Sequence, residues 1–508
     1  MDEPGLRAPC GLARRQAVCV RTGLVPLAHL ALTVMTALTA QGQENLAMEG
    51  TARSWLENSG ATVPPGVVND ADLTTWWGSN EPSTDPPKDI GIAWDTPRTV
   101  GCVRVLFYST GYMPAEDGWR LEARSEGEWQ QLDATVASTE SSRWTFRFPP
   151  ATAEAVRLVT TAYAAGRVAV AEFEVYERQP PTQDVRRPPL LDGAFWAFQY
   201  AHWAERWGDG ALAAEVDRAH AVGLDTIMLY TVMGRDGQLS TVMPGAPLPQ
   251  LECWAGRDPL EVIMSRADEL GMRVYIGDTQ PTGHCRPGAD PDEVAASTAR
   301  LNAYRRALLE RYGEHASLVG YYLNFELCPA DFDNDPAEPA RQVQQLAALI
   351  SELRPDLEIV LPLGLYRWRD VPDATWHRVR PEELRRFWGP FVEMIPDVDA
   401  IMVIDGVGTG LAPLPLSDAA QATVRELCDQ AGKAMWTDVE CAVMGRGKGY
   451  YSFPIGRLVP SIEVAAKHAD HIVTFDYPNY LSPANGREQS RRLYQDYRIY
   501  RNTLLGRW

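Results

Sequence analysis

The chain is short of positive charge. Its 508 residues carry 48 Lys and Arg against 67 Asp and Glu, a formal net charge of −19. A protein of that balance has no basic footprint for phosphates, which argues against nucleic-acid binding and against adhesion to anionic membranes. Histidine is scarce as well. The eight present form no ligand-like cluster, which sets aside a metal-dependent esterase or deacetylase. The eight cysteines show no CxxC spacing, so no zinc site is indicated. No GxGxxG loop follows the first strand of the second half, which disfavours a dinucleotide-binding open sheet. Past residue 40 no apolar run is long enough to span a bilayer.

What is present divides into distinct parts. Arg7, Arg14, Arg15 and Arg21 precede an apolar run from Leu24 to Ala40, and polar residues follow it. This order predicts a secretory signal over residues 1–40, cleaved near Ala40, and hence export to an extracellular or periplasmic space. Export permits disulfides, and Cys253 and Cys285 fall in predicted loops after neighbouring strands, so they form a candidate pair. The Pro-rich stretch 178–189 reads as an extended linker. Before it, alternating runs at Val103–Tyr108, Trp119–Arg124, Ala155–Thr160 and Val168–Tyr176 predict an antiparallel sandwich.

After the linker, strand and helix patterns alternate. Strands are predicted at Asp192–Phe198, Thr226–Tyr230, Arg273–Asp278, Val319–Glu326, Glu358–Leu363, Ala400–Asp405, Ala434–Glu440 and His471–Asp476. Amphipathic stretches separate them, and eight such units in roughly 320 residues predict a (β/α)8 barrel over 190–508. The fold class is therefore multidomain, an all-β sandwich followed by an α/β TIM-type barrel.

In such a barrel the carboxyl ends of the strands open on one face, where catalytic groups collect. Glu326 closes the fourth strand and Glu440 the seventh. Two carboxylates over a cleft are the minimum equipment for glycoside hydrolysis. Partial desolvation beside Tyr322, Phe325 and Leu327 suits Glu326 to the role of general acid, with Glu440 as nucleophile. Asp278, Asp405 and Asp476 end other strands and are expected to bind sugar hydroxyls, Asp405 being the substitute if Glu440 fails. Trp196, Tyr366, Trp436 and Tyr477 are candidates for stacking on pyranose faces, and Gln199 and Asn324 complete the substrate-binding set. Catalysis of this kind needs no cofactor.

Two resemblances add to this reading. Asn45-Leu-Ala, Val68–Trp77, Asp89–Asp95, Trp119–Trp129 and Ala169–Tyr176 together resemble the discoidin or coagulation-factor type C domain, whose bacterial members include galactose-binding-like carbohydrate modules. The resemblance covers 45–177 and implies an eight-stranded jelly-roll sandwich that binds carbohydrate or a cell surface. It also implies a structural calcium held by Asp70, Asp72, Thr75 and Glu172, oxygen donors that suit that ion, although Ala71 stands where the family often has Gly. Trp77 is expected in the core, and Trp55 and Tyr112 lie in loops where a ligand would sit.

Gly193-Ala-Phe-Trp196, Leu318–Glu326 and Trp436–Glu440 resemble glycoside-hydrolase-like barrels still classed as domains of unknown function. Retaining hydrolases of clan A carry their acid/base Glu after strand four and their nucleophile after strand seven; carboxyl groups about 5 Å apart here would mean retention, and a gap of roughly 6.5–9.5 Å inversion. Their strand-four motif has Asn directly before Glu; in this chain Phe325 stands between Asn324 and Glu326. The expectation is a secreted glycoside hydrolase acting on a poly- or oligosaccharide. The alternative is a non-catalytic carbohydrate- or surface-binding protein with an inactive barrel.

Overall fold

The structure is a computed structural model. It describes residues 45–506 except 57–63, 71–75, 79–86, 109–111, 116, 141–142, 164–167, 179–184, 199–206, 236–237, 282–289, 326, 328–334, 365–380, 409–411, 413 and 446–448.

The first half builds one eight-stranded antiparallel sheet from β1 (Thr51–Arg53), β2 (Trp77–Gly78), β3 (Lys88–Phe107), β4 (Trp119–Ser125), β5 (Glu128–Gln131), β6 (Thr135–Glu140), β7 (Arg143–Thr160) and β8 (Ala169–Tyr176). Strands β3 and β7 are 20 and 18 residues long, and neither stays in register throughout. Their ladder slips between Ala93 and Arg98, where Pro97 lies, and between Val100 and Cys102, opposite Pro149 and Pro150. Proline has no N–H to give a ladder, so each break falls where the sequence puts one. The first half of β3 pairs with β1 and with the end of β7, which leads on to β4 and β5. Its second half pairs with β8 and with the start of β7, which β6 flanks. The sheet thus folds over a core that includes Trp77, Phe107, Phe146 and Phe173. Trp77 is fully buried there, as expected of it, while Trp76 is 37% exposed. The connections that would define the jelly-roll path implied by the resemblance include residues outside those described.

The second half is a closed parallel barrel. Its strands are β9 (Gly193–Ala197), β10 (Thr226–Tyr230), β13 (Arg273–Gly277), β14 (Leu318–Tyr322), β15 (Glu358–Leu363), β16 (Ala400–Ile404), β17 (Ala434–Glu440) and β20 (His471–Phe475), with β20 returning to β9. Two antiparallel hairpins follow strand ends, β11 (Val232–Arg235) with β12 (Gln238–Thr241), and β18 (Ala442–Gly445) with β19 (Gly449–Ser452). The barrel helices are α1 (Asp209–Ala221), α2 (Pro259–Leu270), α3 (Pro291–Tyr312), α4 (Ala337–Leu353), α5 (Pro381–Glu393), α6 (Leu414–Ala431), α7 (Ile455–His468) and α8 (Glu488–Leu504). Although α5 falls in the least regular segment, and α6 and α7 begin several residues before the periodic stretches, most lie where the amphipathic period puts one. Helix α2 shows why: Asp258 caps it by accepting from Glu261 N at 3.2 Å, Pro259 opens it, and Gly271 ends it at φ 66°. Leu260, Ile263, Met264 and Ala267 line its buried stripe. Among the described residues no helix is long and apolar enough to cross a membrane.

Alternation along the strands sorts their side chains into two compartments. Phe195, Met228, Tyr230, Tyr275, Tyr322, Met402 and Trp436 fill the barrel interior, whereas Trp196, Ile227, Ile276, Tyr321, Val403 and Val439 pack outward under the helices. The end of the barrel away from the mouth is plugged. There Trp436 meets Tyr275 edge-on at 5.0 Å and lies 4.3 Å from the His471 ring. Arg273 and Tyr275 both donate to Glu358 Oε2, at 3.0 and 2.5 Å. Burial pushes His471 down to about 4, so it is neutral in the fold.

The interior is full enough to dictate glycine. A methyl group on Gly320 would meet the Tyr275 ring at 2.2 Å and the Glu358 carbonyl at 2.7 Å. We expect Gly320→Ala to destabilise the protein by about 1–3 kcal/mol or more, as overpacking of a closed core does. Denaturant midpoints compared with those of Gly66→Ala, at a position with open space around it and no positive φ, separate packing from a general glycine effect.

Candidate active site

The mouth of the barrel is built by residues that continue the inward parity past the strand ends. On β17, Met435 and Val439 face the helices and Trp436 faces the interior, so Asp438 and Glu440 also face inward, toward the mouth. Glu440 is the last residue of the strand and is 9% exposed. Across the mouth the Tyr230 hydroxyl lies 3.2 Å from that of Tyr322 and 3.4 Å from Asn324 Oδ1.

Asp405, one residue past β16, is the neighbour that matters most to Glu440. Its Oδ1 accepts the Glu440 N–H at 3.3 Å and the Val407 N–H at 3.2 Å. Its own N–H donates to the Asp438 carbonyl at 3.0 Å. Burial first, and the negative charge of Glu440 second, push the Asp405 carboxyl well above the usual carboxylate range. The backbone donors and the Ser461 hydroxyl from α7 act against that rise without cancelling it. The site thus pairs two carboxyl groups, of which Asp405 is drawn toward its protonated form.

Gly408 completes the constellation. A methyl group there would lie 2.7 Å from Glu440 Cβ, 3.0 Å from Glu440 Oε2 and 2.3 Å from the Ala442 carbonyl. The backbone of the turn after Asp405 therefore lies directly against the Glu440 carboxylate, at a distance only glycine allows. Neither Asp438 nor Gly408 figured among the sequence candidates. The signals were available: Asp438 shares its parity with Glu440 and Trp436, and the Gly-Val-Gly run follows Asp405 at once.

Five other candidates lie away from the mouth. Asp278 faces outward and is ion-paired with Arg305 of α3 at 2.7 Å, both being almost fully buried. Asp476 also faces outward; its carboxylate accepts from Asn479 N at 3.1 Å and Asn479 Nδ2 at 2.7 Å, capping the turn Tyr477–Leu481. Trp196 stacks on Tyr477 at 5.3 Å under the helix layer, and the Tyr477 hydroxyl donates to Glu215 of α1 at 3.1 Å. Trp436 fills the plugged end of the barrel. A strand end brings a residue near the mouth but does not choose its side, and these five are sealed from a ligand. Asn324 is at the mouth; Asp405, fully buried, follows the outward parity of β16 and holds Glu440 from behind, with Ser461 of α7 beside its carboxyl. Glu326, Gln199 and Tyr366 lie outside the described residues, as do Asp72 and Thr75 of the calcium set and Cys285 of the candidate disulfide. Asp70 is described, and Glu172 is buried on β8.

A family model described as a domain of unknown function, DUF4434, matches residues 191–487. No curated protein matches the chain. Among solved structures, a Bacteroides thetaiotaomicron VPI-5482 protein described as a provisional alpha-L-fucosidase aligns with 17% identity over 62% of this chain and 93% of its own, at a TM-score of 0.50. At that identity the likeness is one of fold. The family 32 CBM from C. perfringens NanJ, in complex with galactose, aligns with 18% identity over 27% of this chain and 99% of its own, at 0.24. Chitosan-binding module 1 of a chitosanase/glucanase from Paenibacillus sp. IK-5 aligns with 24% identity over 26% and 98%, at 0.23. Scores that low carry no argument.

The sealed acids leave a signature in stability. Burial raises Asp476 from 3.8 to about 7, so the folded protein holds that proton more tightly than the unfolded chain. Its contribution is full below about pH 4 and is lost as pH rises toward 7, at about 1.4 kcal/mol per tenfold change in proton affinity. Asp476→Asn is expected to flatten this part of the pH dependence. The stability difference between variant and wild type, from urea midpoints, should shift in the variant's favour by roughly 2–4 kcal/mol between pH 4 and pH 8.

Proposed function

We propose, for a chain that belongs to the family described as a domain of unknown function (DUF4434), that its barrel hydrolyses glycosidic bonds in a poly- or oligosaccharide, with Glu326 as acid/base and Glu440 as nucleophile. The observation that carries the reading is Glu440 itself. It faces the mouth at the end of the seventh barrel strand, braced by the Asp405 carboxyl through its N–H and by Gly408 against its side chain. Asp405, drawn toward its neutral form, takes a competing negative charge away from the carboxylate that is to act as nucleophile.

Support for Glu326 comes from its neighbours. Leu323, Phe325 and Leu327 are all buried in the helix-side layer, while Asn324 reaches Tyr230 at the mouth. Phe325, which interrupts the motif of clan A hydrolases, thus serves the outer packing, and Asn324 is available for a sugar hydroxyl. Retention of configuration follows if the two carboxyl groups lie about 5 Å apart.

The sandwich fits the role of an appended carbohydrate- or surface-binding module, with Trp76 exposed and resting on Tyr108 at 4.9 Å. A structural calcium held by Asp70, Asp72, Thr75 and Glu172 belongs to the same reading, and Glu172 at 4% exposure suits a cation's oxygen shell. An exported protein is consistent with both halves.

The deciding assay measures new reducing ends from a broad panel of polysaccharides and oligosaccharides. Glu326→Gln and Glu440→Gln should each lower kcat by about 10²–10⁴ while leaving sugar affinity within a few fold. Product configuration read by NMR should be retained. Silence of the wild type across the panel, with sugar binding intact, would reject hydrolysis in favour of a binding protein. Separately, chelation with EGTA should lower the melting midpoint by several degrees, on the order of what losing one bound ion costs a small domain, and added calcium should restore it.

A further inference from the structure

Leu106 is on the wrong face of its strand for the sandwich. Val103, Val105 and Phe107 of β3 enter the sandwich core, which leaves Leu106 on the outer side, where a lone domain would expose it. Yet Leu106 is 2% exposed and Ala171 of β8 is fully buried. The two form a separate apolar cluster with Val407 of the barrel, against which Leu414 packs. Val407 stands in the turn beside Glu440: its N–H is held by Asp405 Oδ1, and Gly408, which follows it, touches the Glu440 side chain.

Helix α7 reinforces the same seam. Its Ser461 lies beside the Asp405 carboxyl, and its Glu463 is ion-paired with Arg143 of β7. Arg457 of α7 is buried to 1% and near enough to Tyr108 of the sandwich to oppose the upward push of burial on that phenol. Farther along, Arg492 of α8 sits over the Tyr112 ring at 5.2 Å.

We infer that the sandwich is a working part of the barrel's site: Leu106 and Ala171 press the Asp405–Gly408 turn against Glu440, which makes Leu106 a positioning residue for that carboxylate. The packing half of this statement stands by itself; its kinetic consequence rests on the glycosidase reading. Truncating Leu106 removes the wall behind Val407 and lets the turn, with its two hydrogen bonds to Asp405, open locally.

Hydrogen exchange on the full chain tests it without a substrate. Leu106→Ala should speed exchange at the Val407 and Glu440 amides by about tenfold or more. Val407→Ala, which cuts the seam from the barrel side, should give the same pattern at Glu440. Val105→Ala weakens the sandwich core alone and should leave the Glu440 amide at its wild-type rate. Unchanged exchange in the two seam variants, or equal acceleration in Val105→Ala, overturns the inference. Where turnover is found, Leu106→Ala should lower kcat by about tenfold with KM within twofold, and Val105→Ala should alter neither. An inactive wild type rejects the glycosidase reading and leaves the exchange result to decide this one.

Discussion

A side chain on a strand of a closed barrel has two destinations and no third. It enters the interior or it goes under the helices, and its neighbours on either side take the opposite course. Almost every feature of the barrel follows from that choice. Aromatics on the inward parity, such as Tyr275 and Trp436, crowd one another so closely that Gly320 has room for no side chain. Acids on the outward parity, Asp278 and Asp476, are buried without access to solvent and are met by Arg305 and Asn479. Among the described residues, inward parity running past the filled interior brings Asn324, Asp438 and Glu440 to the mouth.

Electrostatics at that mouth are arranged by backbone as much as by side chains. The Asp405 carboxyl takes two N–H groups, one from its own turn and one from Glu440, and so ties the ends of β16 and β17 together. Burial and the charge of Glu440 work in the same direction on Asp405, drawing it toward the neutral form. A neutral acid beside a charged one relieves the repulsion that two ionised carboxylates would suffer at this burial. The close approach of Gly408 then limits the rotamers open to Glu440.

The sequence made the architecture legible because each level of signal agreed. Period-two runs flanked by turn residues marked parts of four of the eight sandwich strands, and apolar strands between amphipathic stretches placed all eight barrel strands within a few residues of their observed bounds. The site was harder. Placement at a strand end marked Glu440, Asp278 and Asp476 alike, though a count of parity from Trp436 or Tyr275 separates them. Trp196 and Tyr477 carry large apolar faces that fit a sugar or a helix layer equally well, and nothing local decides between them. The seam at Leu106 and Val407 joins residues some three hundred positions apart on surfaces that each read as ordinary β-structure or loop, so no local pattern announces it.

The closing pair of the barrel carries one more consequence, for the order in which the chain acquires its shape. Strand β9 pairs with β20 through Gly193 and Val473, and Asp192 reinforces the joint by exchanging backbone and side-chain hydrogen bonds of 2.7 Å with Ile472. The partners of the sandwich ladder, by contrast, meet across a much shorter separation, as Leu106 does with Arg143. Loop closure over so long a span comes late, and during synthesis β9 waits for most of the barrel to emerge from the ribosome. Until then its Gly193–Ala197 edge and the outer face of β3 are both uncovered, so the finished sandwich and the unfinished barrel present one another with the very surfaces they will later share or close. The nascent chain is most vulnerable to misassociation in that interval, and its last helices end it.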